Sequence, residues 1–348
     1  MTPLVSIIVN CFNQGCYLER SVKSVLSQTF ADIECVIVDD GSTDNTRQVA
    51  EELMNLDPRV KYYYKENGGL PSSRNFGVQK AQGEWIQCLD ADDWIHEDKI
   101  RFQLSYLEQV NVNDDIVFYS DYERVFIDAY QNIANTQENV IGFLTKDELI
   151  QRLLIPDFLA DSPHPALQQA MLMKKSILTK TKFPEYLKAL GDRYFAIDIL
   201  MAGANFIYTP MIGAYYTKHQ SNRTNNWKYM TNYYIIFYET VVKNYPQLNK
   251  LCKIGLELFL EEAIKDKEEE NFERLLQIVP MPVYLLDKKI KFNNKAQLKI
   301  FKAFREIIPS FLLYEQYRGP RSKKVISIVS KQLNFVKAAL NLSQRPFV

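Results

Sequence analysis

The chain has 348 residues, 47% of them hydrophobic and 24% charged, with 42 basic and 42 acidic side chains in balance. These proportions exclude a disordered or low-complexity chain, and the length leaves room for one domain of about 200 to 250 residues plus an appendage. No run of about 18 uncharged apolar residues is present, and the chain opens on the strand-like LVSIIV rather than on a basic segment with a cleavable apolar stretch, so a cytoplasmic protein is expected.

In chain order, strands are expected at Val5 to Val9, Glu34 to Val38, Val60 to Tyr64, Trp85 to Leu89 and Ile116 to Tyr119, where short apolar and β-branched runs occur. Helices fall between them. Tyr17 to Gln28 carries Leu18, Val22, Val25 and Leu26 at helical spacing, and Thr43 to Leu56 follows Ser42 as N-cap with Asp44 in its first turn. Asp147 to Leu154 and Arg193 to Ala202 read as further helices, and the strand NFIYTP is expected to end at Pro210. This alternation is that of an α/β domain with a largely parallel sheet, expected over 1–224. From 225 to 348 helical segments dominate, at about Tyr229 to Asn244, Lys250 to Lys267, Phe272 to Ile278, Lys295 to Ile307 and Ser322 to Leu340.

Cys11, Cys16, Cys35, Cys88 and Cys252 lack the close paired spacing of a zinc site and are expected as reduced, mostly buried thiols. In an open α/β sheet the ligand lies beyond the carboxyl ends of the strands. Two acidic clusters stand there: Asp39-Asp40-Gly41-Ser42 after CVIV, and Asp90-Ala91-Asp92-Asp93 after WIQCL. Three carboxylates within four residues repel unless exposed, protonated or neutralised by a cation. Mn2+ or Mg2+ is the economical neutraliser, because such an ion takes one or two carboxylates and completes its shell with water and diphosphate oxygens. Gly68-Gly69 reads as a turn, since neither a phosphate loop nor a dinucleotide fingerprint is present. His96 and His164 read as surface or structural residues.

Five ordered segments carry a resemblance over about Leu4 to Thr224. They are VSIIVNCFNQGCYLERSVKSVLSQTF, VIVDDGSTDNT, NGGLPSSRNFGVQKAQGEWIQCLDADD, GDRYFAIDILMAG and YYTKHQSNRT. Together they are similar to the family 2 glycosyltransferases. The resemblance implies a GT-A-type, Rossmann-like mixed and largely parallel sheet flanked by helices, followed here by the mostly helical C-terminal region. It also implies an inverting transfer from a nucleoside diphosphate sugar, with UDP expected, to a glycan or lipid-linked acceptor in cell-surface polysaccharide synthesis.

Residue roles come with it. Asp40 matches the acidic contact to the donor nucleoside, with Phe12 and Asn13 near the base and Arg74 on the uracil and diphosphate side. Asp90-Ala91-Asp92 matches the DXD motif: Asp92 as metal ligand, Asp90 reaching toward ribose or metal, and Ala91 between them in the donor-binding turn. His219 matches a late ligand near diphosphate or metal, and Asp192 matches the base that activates the acceptor hydroxyl. A carboxylate so placed contributes about 10²- to 10⁴-fold. Two departures stand out, namely Asn10 and Phe12 where many members have proline and tyrosine, and Gly191 in place of the commoner glutamate beside Asp192. The alternative is a noncatalytic sugar-nucleotide-binding scaffold protein of a glycan assembly complex.

From Lys288 onward fourteen lysines and arginines face two glutamates, giving the tail a charge near +12. The stretch Lys295 to Ile307 interleaves Leu298, Ile300, Phe301 and Phe304 with Lys299, Lys302 and Arg305, the composition of an interfacial helix. Peripheral contact with anionic membrane at its inner face is therefore expected, and no nucleic-acid module is recognisable.

Overall fold

The computed structural model describes residues 2–256 except 111–114, 129, 156–162, 166, 221 and 253–254. Five of the six strands expected from sequence are present as β1 (Val5–Cys11), β2 (Ile33–Asp39), β3 (Val60–Tyr64), β4 (Trp85–Asp90) and β6 (Ile116–Ile127), and the sixth, NFIYTP, opens a longer strand. Every residue of β1 and β2 is buried, as parallel strands covered on both faces require. Four further strands complete the sheet: β5 (Trp94–Ile95), β7 (Ile133–Asn139), β8 (Met171–Lys174) and β9 (Asn205–Lys218). The order is β3-β2-β1-β4-β8-β6-β9-β5, with β7 paired to β6. The β3-β2-β1-β4 and β6-β9 pairs are parallel, while β8, β7 and β5 join antiparallel.

Pro210 does not end its strand. β9 runs through it, and the register against β6 jumps from Ser120↔Thr209 to Asp121↔Ile212. Proline cannot donate to the ladder, so the strand bulges at that point and then resumes. The continuation brings Thr217 and Lys218 up beside the acidic turn after β4.

The flanking helices are α1 (Gly15–Leu26), α2 (Thr46–Leu56), α3 (Leu70–Lys80), α4 (Lys99–Leu104), α5 (Lys146–Leu154), α6 (Lys175–Lys180), α7 (Gly191–Met201) and α8 (Trp227–Asn244). Asn45, not Ser42, is the N-cap of α2, because the Ser42 hydroxyl is taken by the backbone N–H of Asn13 at 2.9 Å. α5 opens on a capping box between Thr145 and Glu148. α3 has no clean apolar stripe: it buries Ser73, Arg74 and Asn75, and a Cβ on its Gly77 would stand 2.4 Å from a methyl of Ile8.

The first compact unit ends at Leu251, and α8 lies inside it. The Tyr238 hydroxyl of α8 donates to the Leu154 carbonyl at 2.5 Å, and Asn244 donates to the Tyr194 hydroxyl at 2.6 Å. The expected helices within 257–348, and with them the basic tail, lie outside the described residues. No described helix is long and apolar enough to cross a membrane. Four cysteines are buried and reduced, whereas Cys16, at the start of α1, is exposed.

Candidate active site

The carboxyl ends of β1, β2, β4 and β9, the start of α3 and the start of α7 enclose one cleft of about 1180 Å³. Phe12, Asn13, Asp40, Arg74, Asp90, Asp92, Asp192 and His219 all line it. Ala91 does not. Its side chain is wholly buried and its N–H donates to the Asn10 carbonyl at 3.0 Å, so it spaces the two aspartates.

The loop after β2 is shaped by its own polar groups. The Asp39 carboxylate accepts from the Ser42 N–H and the Tyr62 hydroxyl at 2.8 and 2.7 Å. Asp40, 3% exposed, accepts from Lys65 Nζ at 2.6 Å and from the Gly68 and Gly69 N–H groups at 3.0 and 2.7 Å. A carboxylate offers about four lone-pair sites, so Asp40 keeps one for a ligand donor. Gly69 is needed here because its φ of 85° lies in the left-handed region while its N–H faces Asp40. Asn13 also has positive φ, and its amide oxygen accepts from the Thr43 N–H at 2.8 Å, which leaves the Phe12 ring 41% exposed at the mouth.

Arg74 rises from α3 and pairs with Asp90 at 3.1 Å, its guanidinium lying over the Phe183 ring. Burial alone would weaken this charge, but Asp90 overrides it and holds the guanidinium above its ordinary pKa, with Asp192 adding to the effect. Burial lifts the Asp90 carboxyl, Arg74 opposes that rise, and the charges of Asp92 and Asp192 add to it. Asp192 is thus electrostatically coupled to both members of the pair. It sits in the first turn of α7, with its Oδ1 accepting from the Arg193 N–H at 2.9 Å, while Leu190 in the left-handed region is the N-cap. Asp198, six residues on, does not line the cleft and bonds the Tyr245 hydroxyl.

Asp92 Oδ2 lies 3.0 Å from His219 Nε2, and both side chains are close to nine-tenths buried. His219 follows β9, stacks on Tyr17 with ring centroids 5.1 Å apart, and has its N–H held by the Asn222 side chain at 2.6 Å. One carboxylate and one imidazole facing a cleft fit a hard divalent ion that draws its remaining ligands from phosphate and water. No group of three or more His, Cys, Asp or Glu gathers as a closed cage among the described residues. Asp93 also lines the cleft, but its oxygens are taken by the Thr217 N–H and the Gln169 amide, and burial pushes it well above the ordinary carboxyl range.

Several cleft residues escaped the sequence reading. Tyr17, Lys188, Tyr216 and Lys218 line the cleft, and so does the buried His164. Asn10 also faces it, with Oδ1 accepting from Ser73 and its buried Nδ2 without a partner among the described residues. No local spacing marks these residues, since they converge through tertiary packing.

Comparison with known proteins agrees with this geometry. Residues 6–175 match the model of glycosyl transferase family 2. An uncharacterized glycosyltransferase of Haemophilus influenzae is 35% identical over 144 residues, 41% of this chain and 56% of that protein. Glycosyltransferase GlyG of Streptococcus pneumoniae is 30% identical over 184 residues, 53% of this chain and 60% of GlyG. The chain therefore spans somewhat more than half the length of these relatives.

Among solved structures, S. aureus TarS 1-349 in complex with UDP-GlcNAc superposes with a TM-score of 0.60 at 17% identity, covering 90% of this chain and 91% of that one. The mannosyltransferase PcManGT from Pyrobaculum calidifontis, in complex with GDP-Man and Mn2+, gives a TM-score of 0.51 at 14% identity, covering 91% and 84%. At such identities the likeness is one of fold. Over residues 6–175 the chain is thus similar to glycosyl transferase family 2, and its sheet shares the fold of these structures.

Proposed function

We propose that the chain is an inverting glycosyltransferase that moves a sugar from a nucleoside diphosphate donor to an acceptor hydroxyl. One observation carries this: Asp40, Asp90, Asp92, Asp192, His219 and Arg74, from widely separated parts of the sequence, meet in a single cleft. Asp40, Phe12 and Asn13 form its nucleoside end. TarS, of like fold, was solved with UDP-GlcNAc, which supports a uridine donor here. Cell-surface polysaccharide synthesis, a glycan or lipid-linked acceptor, and a cytoplasmic site of action touching anionic membrane through the basic tail belong to the same proposal.

In transfer, the acceptor oxygen bonds to the anomeric carbon as the bond from that carbon to the diphosphate oxygen breaks. The electron pair leaves with the nucleoside diphosphate, and the hydroxyl proton passes to the Asp192 carboxylate. A single attack opposite the leaving group inverts the anomeric centre. Asp92 and His219 would hold Mn2+ or Mg2+, which supplies charge neutralisation at the departing diphosphate. The Arg74–Asp90 pair lines the same cleft, with its guanidinium and carboxylate 3.1 Å apart.

The test is turnover on a panel of nucleoside diphosphate sugars with Mn2+, read as release of free nucleoside diphosphate with and without candidate glycan acceptors. Acceptor-stimulated release from at least one donor is expected. No release from any donor, despite tight donor binding, would favour the noncatalytic scaffold.

A further inference from the structure

We propose that Asp93 is a positioning residue, the centre of a buried latch that fixes the end of β9, and hence His219, against the acidic turn. The inference rests on the metal-holding role given above to Asp92 and His219. Asp93 Oδ1 accepts from the Thr217 N–H at 2.7 Å, and Oδ2 accepts from Gln169 Nε2 at 2.8 Å. The Thr217 hydroxyl returns to the Asp92 carbonyl at 2.5 Å, and Arg20 Nη2 donates to that same carbonyl at 2.8 Å. The turn and the strand end are thus tied by a closed set of bonds, and His219 stands two residues beyond Thr217.

Both contacts on Asp93 come from N–H donors, and with the Gln169 amide in this orientation they take two acceptor oxygens, which a carboxylate has and an amide lacks. The backbone at Gln169 is itself tied, because it lies in the short 3-10 turn Gln168–Ala170, whose Gln168 carbonyl accepts from Gln87 Nε2 at 2.9 Å. The Arg20 guanidinium is in turn held over the Trp94 ring at 4.1 Å. Asp93 therefore needs no contact with donor or ion to act. It sets the 3.0 Å approach of Asp92 to His219 through the backbone on either side. The third carboxylate of the turn thus serves geometry.

The experiment uses the full chain, with Mn2+ as probe in the presence of UDP, followed by loss of the free-ion electron paramagnetic resonance signal. Asp93→Asn places a donor against a donor and is expected to weaken Mn2+ binding roughly 10- to 100-fold, as loss of an orienting partner of a metal ligand does. The double variant Asp93→Asn/Gln169→Glu restores one donor facing each acceptor and is expected to return to the wild-type affinity.

Hydrogen exchange of the Thr217 amide in metal-free protein provides a second readout, faster in the single variant and slowed again in the double. Wild-type Mn2+ affinity in Asp93→Asn overturns the proposal, as does a double variant that recovers neither affinity nor exchange protection. If the single variant does not fold, the double decides alone. Wild-type protein that binds no Mn2+ removes the metal role of Asp92 and His219, and the Thr217 exchange then decides the latch by itself.

Discussion

The two ends of the parallel strands treat a carboxylate in opposite ways. At the amino ends, Glu34 near the start of β2 accepts from the Ser6 hydroxyl and the Gln82 N–H, both at 2.6 Å, and pairs with Lys61 at 2.7 Å. Burial raises this carboxyl, but the hydrogen bonds and the Lys61 charge outweigh it and hold it below its ordinary value. At the carboxyl ends, Asp90 and Asp92 share one cleft with Asp192, Arg74 pairs with Asp90, and Asp90 is held above its ordinary value. One end satisfies its charge to stabilise the sheet. The other crowds carboxylates around one turn, a repulsion that a bound cation and a proton from the acceptor can relieve.

The sharpest way to break this contrast is to neutralise Asp192. Asp192→Asn is expected to lower the transfer rate by roughly 10²- to 10⁴-fold, while donor affinity and melting temperature stay near wild type. A variant that turned over normally would remove the base from the account.

At the other end, Glu34→Gln is expected to leave transfer intact and to cost about 1.5 to 3 kcal/mol of stability in urea unfolding, the range for hydrogen bonds to a charged group. Its pH dependence sharpens the point. The folded pKa of Glu34 is lowered, so its advantage over Glu34→Gln is fully present above the unfolded carboxyl value near 4.3. It is lost as pH falls through the lower folded value. Urea midpoints of both proteins from pH 7 to pH 3 should converge in the acid range. The smallest effect belongs to the solvent-facing Glu19–Lys23 pair on α1, where Glu19→Gln should change stability by less than about 0.5 kcal/mol.

The same contrast explains what could be read from sequence. β1 and β2 are continuous apolar runs because both faces are buried, and such runs announce themselves. α3 did not, since it turns Ser73, Arg74 and Asn75 inward and has no polar face to set against an apolar one. β7 is exposed along nearly all its length and gives no alternation to detect. β9 was cut short at Pro210 because a bulge that lets a strand pass proline depends on its neighbour β6.

In the site, Asp40, Asp92 and Asp192 were legible from strand-end acidity and the family resemblance. Ala91 is part of the motif yet faces away from the cleft, and the partners of the aspartates were hidden. Thr217 and Gln169 meet Asp93 across sequence separations of 124 and 76 residues, a relation no local pattern carries. Tyr17 on His219 is of the same kind.

The central claim is that the acidic turn of the cleft is completed by a divalent ion and a nucleoside diphosphate together. Calorimetric titration of UDP into the protein, with Mn2+ and then with chelator, tests it most directly. The account predicts Mn2+-dependent binding that weakens at least about tenfold in Asp92→Asn without a change in melting temperature. Equal UDP binding in chelator, in Mn2+ and in Asp92→Asn would contradict it.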